Sequence, residues 1–401
     1  MSRILIISNG HGEDLSGSLL GKSLISLGHK IDAFPLVGIG KAYKNESIRT
    51  LGLQKEFSTG GMGYITLIGR LTELLEGQII YLFRSIIIAI KASNKYDLIL
   101  SVGDVLPAFV AWLSRKPSVV YLVAYSSHYE GKLKLPWPCK NILLNKRFLS
   151  IFSRDQLTAE DLTEQLNKRV LFYGNPFMDS VLTEKDPLVK VEFRLGILPG
   201  SRRPELDRNI IMIIKVLGLL PQKIFVRNIS IDMALVNSMD NYSLINLFIE
   251  QGWQHNKDFK EENLIQFIKG LCIINIRYNS FDQIIQNSNI LLGMAGTAIE
   301  QAVGFAKPII QLPGEGPQFT YSFAEAQRRL LGPTLFCVKP TRSKLDICQR
   351  TAELIYDLSI RINNDKSIIN ECNKQAALRL GKAGGAKRIS EHINNLLENI
   401  T

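Results

Sequence analysis

The chain opens on a short apolar run, Ile4–Ser8, which breaks into Asn9-Gly10-His11-Gly12. From Glu13-Asp14 a helical pattern runs to about Leu27. Strand, glycine-rich turn and helix in that order form the basic unit of a parallel sheet. Further strand-like runs lie at Ile31–Leu36, Asp97–Val102, Ser118–Ala124, Asn141–Leu144, Leu149–Phe152 and Val170–Phe172. They are continuously apolar rather than alternating, as in sheets that helices cover on both faces. Gly174-Asn175-Pro176 closes this series, and Lys185–Val191 reads as connecting chain. The pattern then restarts, with strands at Leu195–Leu198, Cys272–Ile276, Ile290–Gly293 and Pro308–Leu312. Helices are expected from Phe281 and over Thr297–Gly304. Between these, Ser230–Glu262 is polar, Asn-rich and weakly patterned, and reads as helices and loops. A last helix, about Lys387–Asn399, follows a Gly-Lys-Ala-Gly-Gly turn.

The pattern predicts an α/β chain of two successive halves, residues 1–180 and 181–380, followed by a terminal helix within 381–401. A length of 401 residues suits two domains of about 180–200 residues each. Lys+Arg minus Asp+Glu is 48 − 37 = +11, and an excess of that size points to an anionic partner. Nucleic acid is the weakest of these, since the basic residues are scattered and no nucleic-acid motif is visible. The five cysteines are odd in number and form no CxxC pair, which argues against a disulfide framework and a zinc site and for a reducing, cytoplasmic setting. The first apolar run is too short for a signal peptide. No segment reaches the ~18 apolar residues of a spanning helix. Ile79–Ile90, interrupted by Arg84, is expected to be a core helix. Gly60–Leu75, containing Met62-Gly63, reads either as core or as an apolar surface resting on a bilayer, where neighbouring basic residues would add attraction to anionic lipid.

Ligands of open parallel sheets bind beyond the carboxyl ends of the strands. Three glycine-rich turns fall at such ends: Asn9–Asp14, Leu198–Arg203 and Gly293–Thr297. Glycine lets the backbone approach a ligand, and the following helix offers free N–H groups to phosphate. The first turn has neither the G-x-G-x-x-G spacing nor a Walker motif. Its Glu13 and Asp14 would repel a diphosphate, so it suits a neutral sugar or a hydroxyl acceptor. In the second turn Gly200 allows close approach, Ser201 can donate, and Arg202 can pair with phosphate oxygens. The alternative for these arginines is an ion pair at a helix start. In the third turn Gly296 and Thr297 sit at a helix N-terminus, with Glu300 placed either for ribose hydroxyls or for a capping box with Thr297. The loop Pro313–Gln318 follows the next strand and could close over a ligand. Asp104, after the strand Asp97–Val102, is placed as a general base or as a helix N-cap. His11 and His128 are further candidates in this half.

These pieces together resemble the divergent relatives of lipid-A-disaccharide synthase. The resemblance rests on Asp14-Leu15-Ser16-Gly17, Met62-Gly63, Gly103-Asp104, Tyr173-Gly174-Asn175-Pro176, Leu198-Pro-Gly-Ser-Arg202 and Gly296-Thr297-Ala-Ile-Glu300. It implies the GT-B fold, two Rossmann-like domains with parallel sheets and an interdomain cleft, with the terminal helix 381–401 packing back on the first domain. It implies too an inverting, metal-independent transfer of a sugar from a UDP-sugar to a lipid-linked or amphipathic acceptor. It also implies a peripheral position on the membrane and no cofactor beyond the UDP-sugar substrate. On this resemblance Gly200, Ser201, Arg202, Gly296, Thr297, Glu300 and Gln318 face the nucleotide-sugar. Asp104, then Asp14 or His11, is the base, and Gly12, Glu13, Met62, Gly63 and Asn175 lie on the acceptor or membrane side. The family's Gly-Glu-Ala-Ser-Gly-Asp turn is replaced here by Asn9-Gly-His-Gly-Glu-Asp14, and its Gly-His-Pro by Gly174-Asn175-Pro176. A sugar-nucleotide 2-epimerase and a non-catalytic nucleotide-sugar-binding protein are the alternatives.

Overall fold

The structure, a computed structural model, describes residues 1–55, 78–181, 188–201, 203–237, 239–259, 261, 263–294, 296–316, 319–341 and 343–399, and only the backbone of His11 and Glu130. The surface expected over Gly60–Leu75, with Met62 and Gly63, lies outside the described residues, as do Arg202 and Gln318. The chain forms two compact units: Met1–Ser180 with Gly381–Thr401, and Val181–Leu380.

The first unit holds a sheet of seven strands, β1 (Arg3–Ser8), β2 (Lys30–Pro35), β3 (Arg49–Thr50), β4 (Leu98–Val102), β5 (Ser118–Leu122), β6 (Phe148–Ser153) and β7 (Val170–Leu171). All pair in parallel in the order β3-β2-β1-β4-β5-β6-β7. Strands β4 and β5 are buried at every position, which is why their sequences are continuously apolar rather than alternating. One expected strand is absent. Asn141–Leu143 belongs to a short helix, Cys139–Leu143, which Leu144 closes; a run of only three apolar residues fits either element when length is the sole guide. The first helix also begins earlier than expected, at His11, so Gly12 lies inside its first turn.

Helix Gln78–Ser93 departs from the expected core helix. Tyr81, Ser85 and Ala89 are buried, four residues apart along one face, while Ile80, Phe83 and Ile87 are exposed along another. Among the described residues no helix is long and apolar enough to cross a membrane.

The second unit is built on β8 (Phe193–Leu198), β9 (Ile229–Leu235), β10 (Gln254–His255), β11 (Leu264–Lys269), β12 (Cys272–Tyr278), β13 (Ile290–Gly293), β14 (Ile309–Gln311) and β15 (Leu335–Cys337). Their order is β10-β11-β12-β9-β8-β13-β14-β15, parallel from β12 to β15 and extended by the antiparallel β11 and β10. Strand β9 falls inside the stretch expected to be helices and loops. Its sequence, Ile-Ser-Ile-Asp-Met-Ala-Leu, carries Asp232 at a fully buried position. The carboxylate survives there because Arg194 and Arg277 both pair with it, Arg277 Nε at 2.8 Å, and Ser230 Oγ donates at 2.6 Å. A charge needs this degree of pairing to leave water.

The last helix, Gly385–Glu398, sends Ala386, Ile389, Ile393 and Leu397 into the core of the first unit. Its start is fixed by Asp179, whose carboxylate accepts from the backbone N–H groups of Gly384, Gly385 and Ala386 at 2.5, 3.1 and 2.7 Å. A carboxylate at a helix N-terminus is favoured by the free donors and the dipole.

Replacing Asp232 by alanine leaves two guanidinium groups without their shared counter-charge. The expected loss of stability is about 3–5 kcal/mol, read as a lowered urea midpoint for the second unit.

Candidate functional site

Each sheet reverses its winding at one place, between β1 and β4 in the first unit and between β8 and β13 in the second. Connections on either side of such a point run to opposite faces, which opens a crevice at the carboxyl ends of the two strands. The turns singled out in the sequence fall at these two places.

In the first unit, Asn9 follows β1 and Asp104 follows β4. Asn9 Nδ2 donates to Asp104 Oδ2 at 3.1 Å. Asp104 also caps helix Val105–Leu113, its Oδ1 accepting from Leu106 N at 2.8 Å. Glu13 lies across the end of β4: a Cβ on Gly103 would sit 3.0 Å from Glu13 Cγ. Burial raises the pKa of both Glu13 and Asp104; for Glu13 the Asp104 charge adds to this and Arg154 opposes it. Arg154, after β6, is buried and donates to the carbonyl of Val123, after β5. The carboxyl edge of the central strands thus carries Asn9, Glu13, Asp104 and Arg154 together.

Asp14 points elsewhere. It is buried and accepts from Ser8 Oγ at 2.6 Å, which in turn accepts from Tyr43 Oη at 2.8 Å. Gly17 makes room for this ring, since a Cβ there would lie 2.1 Å from Tyr43 Oη. Burial, with the Glu13 charge adding and the Ser8 hydrogen bond opposing, pushes the Asp14 carboxyl up to about 7. Its partners make it a buried tie between β1 and the helices rather than a group open to a ligand. Gly12 is exposed in the first helical turn. The His11 side chain lies outside the described residues. His128 is mostly buried, its Nε2 3.9 Å from Asp155 Oδ1. Asn175 is fully buried, accepting from Phe177 N at 3.0 Å, with no partner for Nδ2 among the described residues. The contacts of Asn175 are with its own turn and the chain at Gly385, and none joins it to Asn9 or Asp104.

In the second unit, Gly200 (φ 100°) and Gly296 (φ 85°) hold backbone conformations that other residues adopt at a cost. Asn209, on helix Glu205–Gly218, donates to the carbonyl of Pro199 at 2.8 Å, and its Oδ1 would lie 3.2 Å from a Cβ on Gly314. It therefore ties the turn after β8 to the loop after β14. Gln311 donates to Gln327 at 2.8 Å, and Gln327 reaches the carbonyl of Gly296 at 3.4 Å. Polar side chains from neighbouring helices thus anchor the turns after β8 and β13.

The helix Thr297–Gly304 begins with Gly296 as its cap, a residue with no side chain to accept from the first N–H groups, and Thr297 stands as the first helical residue rather than as the cap. A helix start capped by glycine lets an anionic group come close to its N–H groups. Glu300 is half-buried in the same turn. Ser201 is exposed. Arg203 pairs with Asp207, Nε to Oδ1 at 3.1 Å, so the ion-pair alternative holds for this arginine.

Asn209, Gln311, Gln327 and Arg154 were not marked in the sequence. Their signal was there to read: a polar side chain within an apolar run or directly after a strand, where burial demands a partner.

No family profile matches the chain, and no curated protein matches it in sequence. Solved structures do match over the whole chain. The calicheamicin glycosyltransferase CalG4 is 16% identical with a TM-score of 0.62, the match covering 100% of this chain and 99% of CalG4. The kitacinnamycin glycosyltransferase is 10% identical with a TM-score of 0.56, covering 98% of each chain. The UDP-GlcNAc 2-epimerase from Neisseria meningitidis, bound to UDP-GlcNAc, is 12% identical with a TM-score of 0.50, covering 99% of this chain and 100% of the epimerase. At these identities the likeness shows the fold, and the chain has the GT-B fold expected from its sequence.

The Asp14 carboxyl yields a stability prediction. Its folded pKa of about 7 lies above the ordinary 3.8, so the folded state holds the proton more tightly. Its contribution is fully present below about pH 4 and is lost as pH rises through about 7. Asp14→Asn keeps an acceptor for Ser8 and removes this dependence. Between pH 4 and 8 the wild type should lose a few kcal/mol relative to the variant, at about 1.4 kcal/mol per pKa unit, seen in urea midpoints at the two pH values.

Proposed function

We propose that the protein is a glycosyltransferase that moves a sugar from a UDP-sugar to a hydroxyl of a lipid-linked or amphipathic acceptor. The observation that carries this reading is the opposite chemistry of the two switch points. The second unit offers glycine turns at Gly200 and Gly296, the latter at the start of helix Thr297–Gly304, which suit a diphosphate. The first unit offers the carboxyl groups of Glu13 and Asp104, which repel a diphosphate and suit a hydroxyl that must lose its proton. Glycosyl transfer needs both: a base for the acceptor and donors for the leaving diphosphate. The similarity to solved glycosyltransferases supports the same reading.

In this scheme Gly296, Thr297 and Glu300 face the nucleotide, with Gly200, Ser201, Arg202 and Gln318 beside the diphosphate. The net charge of +11 favours an anionic donor. The exposed Ile80, Phe83 and Ile87 support an amphipathic acceptor and a peripheral position on a membrane.

The similarity to a UDP-GlcNAc 2-epimerase supports a second reading, in which the same donor is epimerised with no acceptor.

Calorimetry with UDP and UDP-GlcNAc tests the donor site. Wild type should bind saturably, and Arg202→Ala should bind about 2 kcal/mol more weakly, as for a lost charged hydrogen bond, or roughly 30-fold. Absence of binding to the folded wild type removes the UDP-sugar assignment. Appearance of a free 2-epimer of the donor sugar, with no dependence on an acceptor, selects the second reading.

A further inference from the structure

Three carboxylates lie within two turns of the first switch point, and their hydrogen bonds separate them. Asp14 is committed to Ser8 on the buried side of its helix. Asp104 has both oxygens committed, Oδ1 to Leu106 N and Oδ2 to Asn9 Nδ2. These two donors oppose the burial that raises the Asp104 carboxyl, and each of its oxygens already accepts a hydrogen bond, which leaves it less free to take a proton. Glu13 is different. Among the described residues its donor is its own backbone N–H. Its side chain is packed against Gly103 and lies near Gly10, where a Cβ would stand 3.4 Å from Oε2. Both are glycines with positive φ, at 138° and 157°. A methyl group at Gly103 would press on Glu13 Cγ.

We infer that Glu13 is the proton acceptor for the incoming hydroxyl, and that Asp104 is a positioning residue that holds a fixed negative charge beside it. This rests on the glycosyl-transfer reading above. In the step, the acceptor O–H bond breaks and its proton passes to Glu13. The oxygen forms a bond to the sugar's anomeric carbon, whose bond to the diphosphate breaks, and the diphosphate leaves with the electron pair.

The charged groups facing Glu13 are Asp104, Asp14 and Arg154. The first two favour its protonated form, Arg154 its ionised one. Burial is the larger influence and favours the proton. Asp104 keeps Glu13 a stronger base than an ordinary glutamate.

Two measurements test the assignment. UDP release from UDP-GlcNAc with water as acceptor should fall at least 100-fold in Glu13→Gln, with UDP affinity unchanged within twofold. Asp104→Asn should lose less and should shift the acid limb of the pH profile to lower pH. A Glu13→Gln variant within threefold of wild type overturns the assignment. Independently of turnover, the Glu13 carboxyl can be followed by NMR in protein carrying 13C-labelled glutamate, its signal identified by its loss in Glu13→Gln. It should titrate above 4.5 and move down in Asp104→Asn. Titration at the ordinary value, unmoved by Asp104→Asn, overturns the pairing even if UDP binds. A wild type that binds no UDP overturns the transfer reading itself, whatever Glu13 titrates at.

Discussion

A parallel strand that ends at a switch point must hand its chain to a helix within a few residues, and the ligand must come close to the backbone that does so. That steric demand governs both sheets. Gly103, Gly200 and Gly296 all have positive φ at the ends of β4, β8 and β13, where a side chain would strain the turn. Each turn is then fixed by a buried or half-buried polar side chain from a neighbouring element: Asn9 on Asp104, Asn209 on Pro199, Gln327 on Gly296. Without these anchors glycine turns would be mobile, and a binding surface made of backbone N–H groups would lose its aim.

Most of the frame was legible in the sequence because parallel strands covered on both faces are plainly apolar. Strands β1, β4, β5, β8 and β13 lie within about two residues of where the pattern puts them. The failures have physical causes. Strand β9 was hidden by Asp232, a charge whose two arginine partners are distant in sequence, Arg194 by 38 residues and Arg277 by 45. Helix Cys139–Leu143 was read as a strand because its apolar run is too short to show a period. Of the two places open to Thr297, the cap falls to Gly296, whose positive φ the tight turn after β13 uses.

The carboxylates of the first unit are all visible in the sequence, which puts Asp104 first as the base, Asp14 behind it and Glu13 on the acceptor side. Hydrogen bonding separates them differently: Asp14 is a buried tie to Ser8, Asp104 accepts at both oxygens, and Glu13 carries the least committed carboxyl among the described residues. That division depends on Ser8, Tyr43 and Asn9, none of which is chemically conspicuous in the sequence.

The return of the chain at Gly381 has a consequence for how the protein is made. Gly174, Gly381 and Gly385 meet so closely that a Cβ on Gly385 would stand 2.3 Å from the carbonyl oxygen of Gly174. The helix that follows supplies four core residues of the first unit. On a ribosome that half emerges first but cannot complete its interior until residues 381–401 leave the exit tunnel. The second unit, contiguous in sequence, is whole before then. Order of synthesis and order of completion are therefore reversed, and the first unit must wait, partly open, for the helix Gly385–Glu398 that fills it.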